Sequence, residues 1–188
     1  SVEKRKIMAA AASGFVSAGY VRTGFEHFAL PEDRVAKCLA KGLATYTSLG
    51  AIAGKSLSVI ALGRSGHGIL GDRYLFQNHY DDVAYIRVVS AEDFPVYRGH
   101  KMSIDDVIRR DIIRRIRTYL VLDLELIESK YSLVFDIYFA QELNILSYFI
   151  ADGLVELKDY TLALTSLGSH FAELIASVFD GYTNVSLL

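Results

Sequence analysis

Four glycines, Gly63, Gly66, Gly68 and Gly71, fall within nine residues, and a helix does not run well through so much backbone freedom. The stretch from Ala61 to Asn78 therefore reads as a short apolar strand, a glycine-rich turn holding His67, and a Gly71-Asp72-Arg73-Tyr74 step. Such a turn lets backbone approach a ligand closely and offers it N–H donors, though the same composition also describes a plain turn. Its spacing matches neither the phosphate-binding Walker loop nor the dinucleotide fingerprint.

Elements alternate ahead of this turn. Val2 to Ser17 has helical composition, and Gly19 to Phe25 reads as a short strand bounded by glycines. Pro31, Glu32 and Asp33 open a helix that runs to Lys41 and stops at Gly42. Ser58 to Leu62 supplies another strand. Alternation of this kind is what a slice of a (β/α) barrel looks like. From Asp81 onward the chain turns mainly helical. Ser103 is a helix cap with Asp105 and Asp106 in the first turn, followed by the stripe Ile104, Val107, Ile108, Ile112 and Ile116. Helices are expected near Asp123 to Lys130 and Phe135 to Ala151, then a hairpin from Leu154 to Leu164 and a last helix from Ser166 through Phe179. The expected class is α+β: a remnant of a partial (β/α) barrel over residues 1–80, then a mainly helical, winged-helix-like domain over residues 81–188. The boundary falls between Asn78 and Ala91.

Composition narrows the partners. Hydrophobic residues make up 52% of 188 and the formal net charge is −2, so a core is available and no general attraction to nucleic acid or membrane is expected. No apolar run reaches the roughly 18 residues of a membrane span, and a cytoplasmic protein is expected. Cys38 is the only cysteine; it reads as a packed thiol and by itself cannot hold zinc or an iron–sulfur cluster. No metal site is expected, since His79, His100 and His170 show no ligand spacing. His27 reads as a packed histidine, and His67 as either a ligand contact or a solvated loop residue. Arg109, Arg110, Arg114, Arg115 and Arg117 crowd one helix. Acids four residues earlier pair with three of them, which leaves Arg114 and Arg117 for substrate carboxylates or, less in keeping with the charge, DNA phosphates. The aromatics Tyr131, Phe135, Tyr138, Phe139, Tyr148 and Phe149 read as buried helix faces.

Several of these landmarks resemble, in order, the oxygen-independent coproporphyrinogen III oxidase family of radical S-adenosylmethionine (radical SAM) enzymes. His27-Phe28-Ala29 with Pro31 and Asp33 resembles the family's His-Phe-Ala-x-Pro step. Gly63-Arg64-Ser65-Gly66-His67 resembles its Gly-x-Ser-Ala segment, and Gly71-Asp72-Arg73-Tyr74 with Gln77-Asn78 its Gly-Asp-x-Tyr and Gln-Asn pair. Tyr97-Arg98-Gly99, Ile108-Arg109-Arg110-Asp111, Ala151-Asp152-Gly153-Leu154-Val155 and Phe179-Asp180 follow.

The resemblance implies a parent enzyme whose barrel holds a 4Fe-4S cluster on cysteines spaced C-x3-C-x2-C. Reductive cleavage of S-adenosylmethionine there leads to oxidative decarboxylation of porphyrinogen propionates in haem synthesis. It implies a second S-adenosylmethionine contact at Gly63, Ser65, Gly66 and His67, and a C-terminal helical lid over the barrel mouth. The cluster cysteines are absent from this chain, so it is expected to hold no catalytic residue and to be inert alone. A tetrapyrrole (porphyrinogen or haem) and the missing N-terminal barrel half are the expected partners, and an excised piece beginning at Ser1 is expected to self-associate. Leu49 stands where the oxidases place a glutamine, Gly50-Ala51 replaces their Gly-Tyr, and only Ser56 or Ser58 represents an acid before the Gly-Leu-Gly strand. These departures keep one alternative open, a non-enzymatic haem-binding, haem-trafficking or haem-utilisation relative, and the arginine-rich helix keeps a second, a winged-helix DNA-binding module.

Overall fold

The computed structural model describes residues 2–24, 26–47, 50–54, 58–71 and 73–183. Phe25, Leu49, Ser56 and Asp72, on which parts of the sequence reading rest, lie outside the described residues. The chain divides into two compact units, Ser1–Lys55 with Ile108–Leu188, and Ser56–Val107.

The first unit opens with α1 (Val2–Ser17), then pairs β1 (Val21–Arg22) with β2 (Phe28–Ala29). The next helix, α2, covers Arg34–Ala40 and starts three residues later than Pro31 leads one to expect. Asp33 is the reason: its carboxylate accepts the Val35 N–H at 2.7 Å and caps the helix there, leaving Pro31 and Glu32 in the preceding turn. β3 (Ala44–Thr47) and β4 (Gly50–Ala53) then form a hairpin. Two contacts tie this early segment to the late one. Arg22 donates to the Ser169 hydroxyl at 2.6 Å and to the Ser169 carbonyl at 3.1 Å. The Tyr119 hydroxyl donates to the Ala44 carbonyl at 2.7 Å and accepts the Ala44 N–H at 3.1 Å.

The second unit is a three-stranded sheet, order β5 (His67–Leu70), β6 (Tyr74–Asn78), β7 (Val96–Lys101), with α3 (Asp82–Ser90) between its last two strands. The strand expected over Ser58 to Leu62 shrinks to one antiparallel bridge, Val59 with Ile69. β7 carries no strand signal in the sequence, because its six residues, Val96-Tyr97-Arg98-Gly99-His100-Lys101, are all exposed and show no apolar alternation.

Helix α4 (Ile104–Tyr119) follows a reciprocal cap: Ser103 Oγ accepts the Asp106 N–H at 3.1 Å, and Asp106 accepts the Ser103 N–H at 2.8 Å. Ile108, Ile112 and Ile116 are buried as their spacing predicts, whereas Ile104 is 65% exposed. After α4 come β8 (Val121–Asp123), α5 (Leu124–Tyr131), α6 (Phe135–Tyr138), α7 (Ala140–Ala151), β9 (Val155–Lys158), β10 (Thr161–Leu164), a 3-10 turn (Gly168–Phe171) and α8 (Ala172–Ser177). The expected long helix from Phe135 is thus two, broken at Phe139. β10 pairs with β9 as expected and also with β8, giving the order β8-β10-β9. Ile112, Ile116, Leu122, Ile127, Phe135, Phe139, Leu146, Leu162, Ile175 and Phe179 close a single core, all fully buried. Of the aromatics assigned to buried faces, Tyr148 and Tyr138 are instead 55% and 40% exposed. Every strand pairing among the described residues is antiparallel, so the parallel pairs of a barrel slice are not among them. The class is mixed α and β.

Candidate functional site

The glycine-rich loop sits ahead of β5 and is braced from two elements. Asn78, at the end of β6 and 2% exposed, donates its amide to the Gly63 carbonyl at 2.9 Å and to the Ala61 carbonyl at 3.2 Å. Its own N–H reaches the Gly66 carbonyl at 2.9 Å. From α3, the Tyr85 hydroxyl accepts the Gly63 N–H at 3.0 Å, and the Ser65 N–H goes to the His79 carbonyl at 2.9 Å. Two of the loop's N–H groups are therefore satisfied inside the protein, and a ligand here would be met by the exposed Ser65 and His67 side chains. Gly63 has φ +88° and Ser65 +58°, a tight left-handed path that the Asn78 amide stabilises. Removing that amide leaves two carbonyls without their donor. Asn78→Ala is expected to cost the second unit about 1–3 kcal/mol and to speed amide exchange at Gly63 and Ser65. Exchange rates unchanged at both positions would count against the brace.

The sheet carries a row of polar side chains on one face. His67 on β5 pairs with Gln77 on β6, and Gln77 pairs with Arg98 on β7. Arg98 Nε donates to Gln77 Oε1 at 2.8 Å. One alternation along, Leu75 pairs with His100, whose Nε2 lies 3.5 Å from an Asp106 oxygen. These residues line a cleft of about 280 Å³. The other face is apolar, a cleft of about 700 Å³ walled by Ile60, Leu70, Tyr74, Phe76 and Phe94. Gly68 is needed there, because a Cβ at that position would overlap the Phe76 ring.

No family model matches the chain. The Synechocystis oxygen-independent coproporphyrinogen III oxidase is 35% identical over 184 residues, 96% of this chain and 39% of that protein. The chain is a homologue of the oxygen-independent coproporphyrinogen III oxidases. The Escherichia coli oxidase is 29% identical over 180 residues, and the Thermostichus vulcanus oxidase 29% over 187, the latter covering 97% of this chain and 56% of that protein. The solved structure of the E. coli coproporphyrinogen III oxidase, described as a radical SAM enzyme, superposes with a TM-score of 0.86 at 28% identity, covering 94% of this chain and 41% of that one. The chain thus spans about two fifths of the length of most of the relatives it matches.

The iron–sulfur cluster of such an oxidase finds no ligand set here. Cys38 is the only cysteine and lies half-buried on α2. Among the described residues no three of His, Cys, Asp and Glu group as metal ligands, and no helix is long and apolar enough to cross a membrane. His27 packs on Gly50 and edge-on to Tyr46 at 5.9 Å, as a packed histidine should. The arginines of α4 are more engaged than their spacing foretells. Asp111 meets Arg115 at 3.2 Å, as the i,i+4 rule predicts, and also Arg114 at 3.5 Å, while Arg117 chelates Glu173 and Arg109 reaches Glu142 at 2.7 Å. The two arginines that spacing leaves over thus have carboxylate partners. The acids Glu142 and Glu173 stand more than thirty residues away in sequence, so no local pattern reveals them.

Proposed function

We propose that this chain is the C-terminal part of a radical SAM enzyme of the oxygen-independent coproporphyrinogen III oxidase type, acting in the cytoplasm on porphyrinogen propionates. The observation that carries the reading is homology over 96% of the chain joined to a fold match at TM-score 0.86. Residues 1–80 would supply the closing segment of the barrel. Residues 81–188 would supply the lid, and the order α4, β8, α5, α7, β9, β10 with sheet order β8-β10-β9 supports a winged-helix-like reading of it. When bound, the 4Fe-4S cluster and S-adenosylmethionine supply the radical chemistry. The cluster needs cysteines that this chain lacks, so by itself the chain is inert. Its own contribution is a wall of the cofactor site, where Ser65 and His67 present polar groups from a loop fixed by Asn78 and Tyr85. The exposed apolar residues Leu62, Val83 and Phe94 fit a second unit that pairs with the missing barrel half or, in its absence, self-associates.

The test uses the protein with its upstream sequence restored, reconstituted anaerobically with iron and sulfide. 5′-Deoxyadenosine together with decarboxylated coproporphyrinogen III is the expected result. Deoxyadenosine without decarboxylation would overturn the substrate assignment. Haem binding with no cleavage would move the protein to the haem-trafficking class. A DNA-binding role is disfavoured because Arg109, Arg114, Arg115 and Arg117 already meet carboxylates.

A further inference from the structure

The polar row on the β5-β6-β7 sheet has a chemistry of its own. Adjacent strands lie about 4.8 Å apart, so three in-register residues bring an imidazole, an amide and a guanidinium within about 10 Å. Gln77 Oε1 takes the Arg98 Nε–H at 2.8 Å, which fixes the guanidinium plane. What remains is the fork of Nη1 and Nη2, for which no partner exists among the described residues. Nor does the His67 ring have one. A guanidinium held by one edge, with its other donors open, is arranged for a planar oxyanion rather than for water alone.

The surroundings agree in charge and size. Among the described residues no acid lines the cleft, which is built from His67, Leu75, Phe76, Gln77, Arg98, Gly99 and His100. Asp106, the carboxylate that His100 meets, is already bonded by the N–H and the hydroxyl of Ser103, each at 2.8 Å. The face is thus locally cationic in a chain whose net charge is −2. At about 280 Å³ the cleft admits a carboxylate on a short arm, with Leu75 to meet the carbon chain, and not a whole macrocycle.

We propose that this cleft is a carboxylate-binding site in which Arg98 is the anchoring donor, His67 the second donor, and Gln77 the residue that orients Arg98. The carrier is an organic molecule, and two supply the same group: a tetrapyrrole propionate, or the amino-acid end of S-adenosylmethionine. Only the identity of the carrier rests on the function proposed above; the site itself rests on the register of the three strands.

The chain is titrated with three probes, coproporphyrin III, its tetramethyl ester and S-adenosylmethionine, while the Arg98 Nε–H and the histidine ring protons are followed by NMR. Coproporphyrin III or S-adenosylmethionine shifts the Arg98 and His67 signals, and whichever does so identifies the carrier. The ester does not. Arg98→Gln weakens binding at least tenfold, and Arg98→Lys, which keeps the charge but loses the fork, falls between. Because Arg98 is exposed, both variants keep the parent's melting curve. Gln77→Ala weakens binding and moves the Arg98 Nε–H resonance without changing stability. Binding equal in Arg98→Gln and the parent, equal binding of the ester, or no response to either acid would each overturn the site. Failure of the reconstituted enzyme to cleave S-adenosylmethionine would sink the proposed function and leave the site standing.

Discussion

Phe139→Ala is expected to destabilise the first unit by about 3–5 kcal/mol, enough to unfold a marginal domain at ambient temperature. Phe139 is fully buried at the break between α6 and α7. Its ring lies 4.8 Å from that of Phe135 and 5.5 Å from that of Phe179, the latter nearly perpendicular, so one side chain joins three segments of the core. Truncation loses the transfer free energy, leaves a cavity between fixed helices, and removes the edge-on contacts that aromatic pairs favour. Arg109, 5.3 Å above the same ring, would lose its cation–π partner while keeping Glu142. Phe139→Leu should recover more than half of the loss, since the helices are spaced for a large apolar side chain. Urea unfolding followed by far-ultraviolet circular dichroism reads both values, and a loss below about 1 kcal/mol for the alanine variant would mean that this core relaxes around the gap.

The second large effect is expected at Asp111, whose side chain is 6% exposed on α4. Burial by itself would raise its carboxyl. The Lys130 ammonium at 2.8 Å, the Arg115 guanidinium at 3.2 Å and the Tyr131 hydroxyl at 3.0 Å together outweigh that and hold it below the usual carboxylate range. Asp111→Asn therefore leaves cations facing a neutral amide, at a cost of about 2–4 kcal/mol near neutrality, less than for a fully buried pair because Lys130 stays 45% exposed. A depressed carboxyl contributes stability that is complete above its unfolded value, about pH 4, and disappears as pH falls through its lower folded value. The difference in stability between the parent and the Asp111→Asn variant should accordingly narrow in acid. At the alkaline end the signs reverse. Burial alone would lower Lys130, but Asp111 and Tyr131 raise it, and burial first, then Asp111, raises Tyr131. The stability from Lys130 is complete below its unfolded value, about pH 10.4, and is lost as pH rises past the raised one. Unfolding free energies of parent and Asp111→Asn that differ equally at pH 3 and pH 7 would refute this account.

Local signals are readable in the sequence and distant ones are not. The Ile108, Ile112 and Ile116 stripe, the Ser103 cap and the Val155–Leu164 hairpin each follow from residues a few positions apart, and each stands in the structure. β8 is three residues between two helices, and its strand character comes from pairing with β10 about forty residues later. β7 is hidden for the same reason, since Arg98 and His100 gain meaning only when register sets them beside Gln77 and Leu75. Composition alone locates the glycine loop. Its brace stays out of sight, because Asn78 and Tyr85 act on it from more than ten residues further along the chain. The expected second cofactor contact depends partly on Leu49 and Ser56, which lie outside the described residues.

The outer position of β7 bears on how the protein behaves in concentrated solution. An end strand offers its free backbone groups to any other extended chain. Here Pro95 stands immediately before it, removing a donor at the entry, and Arg98 and Lys101 place positive charge along its length. Two such edges approaching one another would meet as like charges, so Arg98, which equips this strand to hold an acid, also helps Lys101 guard it from fibre-like stacking. A crowded, low-salt solution would keep these strands apart, and rising ionic strength would erode that protection within a Debye length of about 8 Å near physiological salt.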